Sequence, residues 1–270
     1  MLSATVNGLK IAYHRAGEGP PLLLLHGFIQ DSRYWRPQIE DLSRDFSVIA
    51  CDIPGCGGSG DPPTRWGMPD FADCLAAFLR AIDAAPVHIV GLSWGGILAQ
   101  ELYRRHWEAV RSLVLADTYA GWKGSLPQEA VAERIARCER DCLRPPDEWV
   151  PGWMPELLTA QAPEELRRDV LAMMSDLHPV GYRIMTHALA HCDTRDVLPA
   201  IAVPALLVWG AEDGRSPVSV GEAMQQRIPG AKMIVIENAG HLSSAEQPEL
   251  FNAAVLDFLH SVEVLPSPAT

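Results

Sequence analysis

Positive charge is scarce in this sequence. Its 270 residues include 22 Lys and Arg against 34 Asp and Glu, which gives a formal net charge of -12. Nucleic acids and anionic lipid surfaces attract basic proteins, so this balance disfavours both as partners. We expect a small-molecule substrate instead, and one that is neutral or apolar.

Features of exported, membrane and metal-binding proteins are missing too. No stretch approaches the roughly 18 apolar residues of a membrane helix, and the N terminus lacks the basic start and apolar core of a secretory signal. We therefore expect a cytoplasmic protein. The six cysteines show no CxxC spacing, so reduced thiols and no metal site are expected.

Short apolar runs of the kind that form buried parallel strands recur along the chain. After two short strands around the Asn7-Gly8 turn and the run PLLLL, they lie at 46–52, 87–93, 110–117, 204–210 and 231–237. Helical patterns alternate with these runs, at 67–83, 95–107, 216–228 and 246–260. This alternation predicts a doubly wound α/β sheet. After His260 we expect a disordered tail that contains Pro266 and Pro268.

The alternation stops between Asp117 and about Pro199, where helical patterns and prolines occur without a convincing strand. We interpret residues 118–199 as a helical cap inserted between two parts of one core, residues 1–117 and 200–270. Its large apolar side chains form either the roof of a substrate pocket or the cap's own small core; the candidates for substrate contact are Trp122, Trp153 and Met154.

The strongest local signal is the G-x-S-x-G motif of Gly91, Ser93 and Gly95. It follows an apolar strand and precedes a helical pattern, which is the context of a nucleophile on a sharp strand-to-helix turn. The glycines fit this context because side chains there would collide with the neighbouring strand or helix. Ser93 is therefore the candidate nucleophile.

A serine nucleophile needs a histidine base, and the histidine needs a carboxylate that holds it. His241 and Asp213 follow the last two predicted strands, where their side chains would meet at the carboxyl edge of the sheet. Glu212 and Asp117 remain alternative acids, the latter because it ends the strand before the cap.

Ester hydrolysis also requires two backbone N–H groups that bind the oxyanion of the tetrahedral intermediate. The residue after the serine supplies one and a loop after an early strand supplies the other, which identifies Trp94 and Phe28. The side chains of these two residues either line the acyl site or pack against the sheet. His26 is expected to brace the loop through hydrogen bonds.

With these residues assembled, the chain resembles the α/β-hydrolase superfamily. Five motifs occur in the expected order: HGF at 26–28, DIPGCGGSG at 52–60, GLSWGG at 91–96, GAEDGRSP at 210–217 and AGH at 239–241. The resemblance implies an α/β-hydrolase fold with a mostly parallel eight-stranded sheet, flanking helices, a helical cap and no cofactor. The layout is similar to that of 3-oxoadipate enol-lactonases and carboxylesterases. Cys56, where relatives commonly carry His or Tyr, and Trp94, where Met or Leu is usual, depart from the pattern.

These observations predict a serine hydrolase that cleaves a carboxylic ester or lactone of a small, largely apolar substrate through an acyl-enzyme on Ser93. Haloalkane dehalogenases and epoxide hydrolases of the superfamily carry Asp at the position of Ser93, on the strand-to-helix turn called the nucleophile elbow. The serine found here excludes both classes. Two other enzymatic functions remain alternatives, a cofactor-free perhydrolase and a C–C bond hydrolase. A non-catalytic small-ligand receptor is an alternative of another class.

Overall fold

The computed structural model describes residues 1–264, and eight strands in that part of the chain form one sheet. In chain order they are β1 Leu2–Val6, β2 Leu9–Ala16, β3 Pro21–Leu25, β4 Ser47–Cys51, β5 Val87–Leu92, β6 Val110–Ala116, β7 Ala205–Gly210 and β8 Lys232–Ile236. Their order across the sheet is β1-β2-β4-β3-β5-β6-β7-β8. β2 runs antiparallel to β1 and β4, and the other five neighbouring pairs are parallel. The predicted mostly parallel eight-stranded sheet is confirmed.

Helices connect the strands. They are α1 Arg36–Leu42, α2 Met68–Ala81, α3 Trp94–His106, α4 Trp122–Ser125, α5 Gln128–Asp141, α6 Met154–Leu157, α7 Glu164–Ser175, α8 Pro179–His191, α9 Val218–Gln225, α10 Ser243–Glu246 and α11 Pro248–Glu263. The four predicted helices correspond to α2, α3, α9 and α11. The sequence pattern misses α1 because only Gln38 and Leu42 are buried there, too few to produce a helical period. None of the helices within residues 1–264 is both long and apolar enough to span a bilayer.

The last helix corrects one expectation about the C terminus. α11 continues to Glu263, so the residues directly after His260 are helical where the sequence suggested disorder. The helix extends because Val262 still packs into the core, with 9% of its surface exposed. The rest of the predicted tail, with Pro266 and Pro268, lies outside the described residues.

Both faces of the sheet are covered. On β3, Leu23 and Leu25 pack into the core on one face, and Leu22 and Leu24 pack into the core on the other. All four side chains are fully buried. Successive strand residues point to opposite faces, so burial on both faces explains why the strand sequences are continuous apolar runs and do not alternate.

The segment between β6 and β7 contains α4 to α8 and no strand. It lies over the carboxyl edge of the sheet, since Tyr182 and Trp153 contact the ring of Phe28, which follows β3. The limits 118–199 for a cap, with 1–117 and 200–270 as the two parts of the core, remain predictions. The packing shows that α8 and the segment before α6 cover the loops that follow the strands.

Two glycines allow the segment between β6 and β7 to approach the loop after β4. A Cβ atom on Gly181, in α8, would lie 2.6 Å from the Cα atom of Gly55 and would also collide with the Gly55 carbonyl oxygen. Backbone lies against backbone here, so neither partner has a flexible side chain that could move away.

We expect Gly181→Ala to lower the free energy of unfolding by about 1–3 kcal/mol, because the added methyl group forces α8 away from the loop. Gly152→Ala is the matched control, since a Cβ atom at Gly152 would meet no heavy atom within 4 Å. Urea denaturation of both variants measures the difference. A Gly181→Ala variant as stable as Gly152→Ala would show that this contact does not hold α8 in place.

Candidate active site

Ser93 lies at a sharp turn between β5 and α3. Its backbone angles are φ 50° and ψ -112°, a conformation that residues with side chains rarely adopt. A Cβ atom on Gly91 would lie 2.6 Å from the carbonyl oxygen of Gly95, and one on Gly95 would collide with the carbonyl oxygen of Leu25. Only glycine fits at either position, as the motif predicts. The Ser93 N–H donates to the Ala116 carbonyl at 2.8 Å, which fixes the turn to β6.

Ser93, His241 and Asp213 form one hydrogen-bonded chain. The distance from Ser93 Oγ to His241 Nε2 is 2.9 Å, and His241 Nδ1 lies 2.8 Å from Asp213 Oδ2. His241 is 2% exposed and Asp213 is 4% exposed, so water competes little for these bonds. With the proton of His241 on Nδ1, the ring donates to Asp213 and accepts the hydroxyl proton of Ser93.

The alternative acids lie elsewhere. Asp117 accepts a hydrogen bond from the Gly210 N–H at 2.8 Å and one from the Ser243 hydroxyl at 2.5 Å. Burial and then the charge of Asp213 raise the pKa of Asp117 well above its usual range, which favours a neutral acid there. The side chain of Glu212 is exposed. Of the three candidate acids, the structure places Asp213 against His241.

The loop after β3 is braced as expected. His26 is fully buried; its Nδ1–H donates to the Gly27 carbonyl at 2.8 Å and its Nε2 accepts from the Ile53 N–H at 3.0 Å. Burial lowers the pKa of His26, which favours the neutral ring that makes both bonds. The Gly27 N–H donates to the Gln30 side chain at 2.9 Å. These bonds hold Phe28 at the edge of the cleft that contains Ser93.

The two residues proposed as oxyanion donors differ in where their side chains lie. Phe28 lines the cleft together with Ser93 and His241. Trp94 is the first residue of α3, where N–H groups have no acceptor within the helix. Its side chain is buried against Phe71, with ring centroids 5.1 Å apart. Only the Phe28 ring therefore faces substrate space.

The three candidate substrate contacts separate in the same way. Trp153 lines the cleft around Ser93 and also an adjoining cavity. Trp122 lines the adjoining cavity only. Met154 lines neither of these two spaces; it is buried in the same apolar cluster as Trp149 and Leu157.

Three arginines that the sequence patterns did not single out lie around the candidate site. Arg215 lies two residues after Asp213 and lines both the cleft and the adjoining cavity, and Arg134 and Arg137 of α5 also line the cavity. Burial, and then the charge of Arg134, lower the pKa of Arg215. A local signal existed, because Arg134 and Arg137 are three residues apart and share a helix face.

Comparison with known proteins places these residues in a wider context. The alpha/beta hydrolase family matches residues 22–254. The (E)-2-((N-methylformamido)methylene)succinate hydrolase of Acinetobacter baylyi is 27% identical, over 97% of this chain and 99% of its own. The 3-oxoadipate enol-lactonase 1 of the same organism is 26% identical, over 97% and 94%. Among solved structures, a thermophilic esterase from Thermogutta terrifontis superposes with a TM-score of 0.90 and 31% identity, over 97% and 98% of the two chains.

Proposed function

The chain belongs to the alpha/beta hydrolase family and is a hydrolase, and from this premise we propose that it cleaves a carboxylic ester or lactone of a small, largely apolar substrate through an acyl-enzyme on Ser93. The observation that carries the proposal is the hydrogen-bonded chain from Ser93 Oγ through His241 to Asp213. The names of two relatives, an enol-lactonase and an esterase, support the bond type.

In the proposed mechanism, Ser93 attacks the carbonyl carbon while His241 Nε2 takes the hydroxyl proton. Asp213 accepts the Nδ1–H bond and stabilises the imidazolium that forms. The N–H groups of Phe28 and Trp94 bind the oxyanion, the second of them at the start of α3, where the helix dipole favours negative charge. His241 then protonates the leaving alcohol, and a water molecule activated by the same ring releases the acid. None of these steps requires a cofactor.

A fluorophosphonate probe tests the nucleophile directly. We expect the probe to label the native protein at Ser93 and peptide mass mapping to find the adduct there, because His241 activates only this hydroxyl. The control is urea-unfolded protein, in which the hydrogen-bonded chain is lost and labelling should disappear. Labelling of the native protein at another serine would refute the assignment.

A further inference from the structure

Three guanidinium groups surround the cavity that adjoins the candidate active site. Arg134 and Arg137 lie on one face of α5, Arg215 lies in the loop after β7, and all three line this cavity. Arg215, Phe28 and Trp153 also line the cleft that holds Ser93 and His241. The positively charged cavity therefore adjoins the cleft that contains the nucleophile, and the same three side chains line both spaces.

The carboxylates nearby are already engaged. Glu156 accepts from Arg137 Nη1 at 2.8 Å through one oxygen and from Arg215 Nη1 at 2.7 Å through the other. The side chain of Arg215 is 10% exposed, whereas that of Glu156 is 42% exposed, so water still reaches the carboxylate of this ion pair. Hydrogen bonding to Arg137, with the charges of Arg215 and its neighbours, outweighs burial and lowers the pKa of Glu156. One shared carboxylate thus accepts hydrogen bonds from two arginines and acts on the third guanidinium only through its charge.

Arg134 is that third group. Within residues 1–264 no carboxylate lies within 4.0 Å of it, and its buried Nη1 makes no hydrogen bond to the rest of the described chain. Its nearest partners are the faces of two aromatic rings, Trp122 at 5.0 Å and Tyr119 at 6.0 Å from the guanidinium carbon. Ring faces stabilise a cation but accept no strong hydrogen bond. A second donor of the cavity wall, the Trp153 indole N–H, is also buried without an acceptor in this part of the chain.

Arg134 as a residue is half-buried, but a buried N–H donor without an acceptor is costly, and more so when it belongs to a charged group. The arrangement is therefore built for an anion that arrives with the substrate. The planar guanidinium can bind two oxygens of either a carboxylate or a phosphate, and a singly charged carboxylate fits better because Glu156 already reduces the local positive charge. The aromatic walls suit the apolar remainder of a small molecule.

We infer that Arg134 binds a free carboxylate of the substrate, which makes the substrate class an ester or lactone that carries a second acid group. The inference rests on the proposed function of Ser93. An apolar chain between the two carbonyl groups would run past Phe28 and Trp153, which line both spaces. The net charge of -12, from which a neutral substrate was expected, is a sum over the whole chain. The local charge of the cavity beside Ser93 is positive, because three arginines and one glutamate line it.

Two activated esters of equal chain length test the inference. Mono-p-nitrophenyl glutarate ends in a carboxylate where p-nitrophenyl pentanoate ends in a methyl group. We expect kcat/KM to be higher for the glutarate ester by roughly 10- to 100-fold, the range expected for one hydrogen bond to a charged group. In Arg134→Met this ratio should fall toward one. Arg140→Met, an exposed arginine on the same helix that pairs with Glu133, should keep the wild-type ratio.

The outcomes separate the inference from the function on which it rests. A wild-type protein that hydrolyses neither ester contradicts the proposed function. Hydrolysis of both esters with equal kcat/KM, or an unchanged ratio in Arg134→Met, leaves that function intact and overturns the carboxylate site. Stronger competitive inhibition by inorganic phosphate than by free glutarate at equal ionic strength would also overturn it.

Folding of the variant is monitored independently. Arg134 is half-buried and forms no ion pair with the rest of residues 1–264, so Arg134→Met should keep a melting temperature close to that of the wild type. Free glutarate should raise the melting temperature of the wild type and not that of Arg134→Met. Arg134→Lys keeps the charge without the planar fork, so it should show an intermediate ratio of kcat/KM.

Discussion

Ser93→Ala is expected to reduce kcat for p-nitrophenyl esters by roughly 10⁴- to 10⁶-fold. The hydroxyl is the only group of Ser93 that reaches His241, at 2.9 Å from Nε2, and its loss removes the covalent route altogether. What remains is attack by water with help from the N–H groups of Phe28 and Trp94, which in the proposed mechanism bind the oxyanion without supplying a nucleophile.

The expected loss of kcat in Ser93→Ala comes from the missing nucleophile and not from impaired folding. Alanine keeps the Cβ atom of serine, so the backbone at φ 50° is neither relieved nor worsened. Far-UV circular dichroism and the melting temperature should therefore remain close to those of the wild type. Ser261→Ala, at an exposed position of α11, serves as a control with full activity. Retention of wild-type turnover by Ser93→Ala would refute the acyl-enzyme mechanism.

Asp213→Asn is expected to lower kcat by roughly 10³- to 10⁴-fold, because it moves the proton of the neutral His241 ring from Nδ1 to Nε2. Asp213 Oδ1 accepts N–H bonds from Arg215 at 2.8 Å and Ser216 at 2.9 Å, so the single oxygen of asparagine must stay there. Its NH₂ group then faces His241 Nδ1 and can only donate. His241 must accept through Nδ1 and carry its proton on Nε2, where it can no longer take a proton from Ser93.

Asp117→Asn is the matched comparison, because Asp117 is the other strand-end carboxylate that could have served His241. Its raised pKa favours a neutral acid, and asparagine can keep both bonds by accepting from Gly210 and donating to Ser243. We expect less than about a tenfold loss of kcat, the effect of slight changes in loop position. A large loss in Asp117→Asn together with activity in Asp213→Asn would reassign the acid.

Local sequence patterns were sufficient to predict the strands of the sheet and the strand-to-helix turn at Ser93. A strand buried on both faces must be apolar at consecutive positions, as in β3 and β6, and this signal depends only on neighbours along the chain. The turn at Ser93 is equally local, because the close approach of Gly91 to Gly95 occurs within five residues. The sequence pattern did not predict α1, because few of its side chains are buried and its apolar residues therefore show no helical period.

The choice among acids needed tertiary structure. Asp117 and Asp213 follow adjacent parallel strands, so both carboxylates reach the same edge of the sheet. Their roles diverge through single contacts: Asp213 meets the ring of His241, while Asp117 meets the Gly210 N–H and the Ser243 hydroxyl. No composition or spacing rule separates two carboxylates placed so similarly.

The sequence by itself thus determined the nucleophile candidate and the sheet that presents it, because these follow from local burial and backbone geometry. Tertiary structure alone decided which carboxylate lies against His241 and that Arg134 and Arg137 of α5 line one cavity with Arg215 beside Ser93. The physical reason is that the sign of charge in a pocket depends on which distant residues packing brings together, whereas net charge sums over the whole surface.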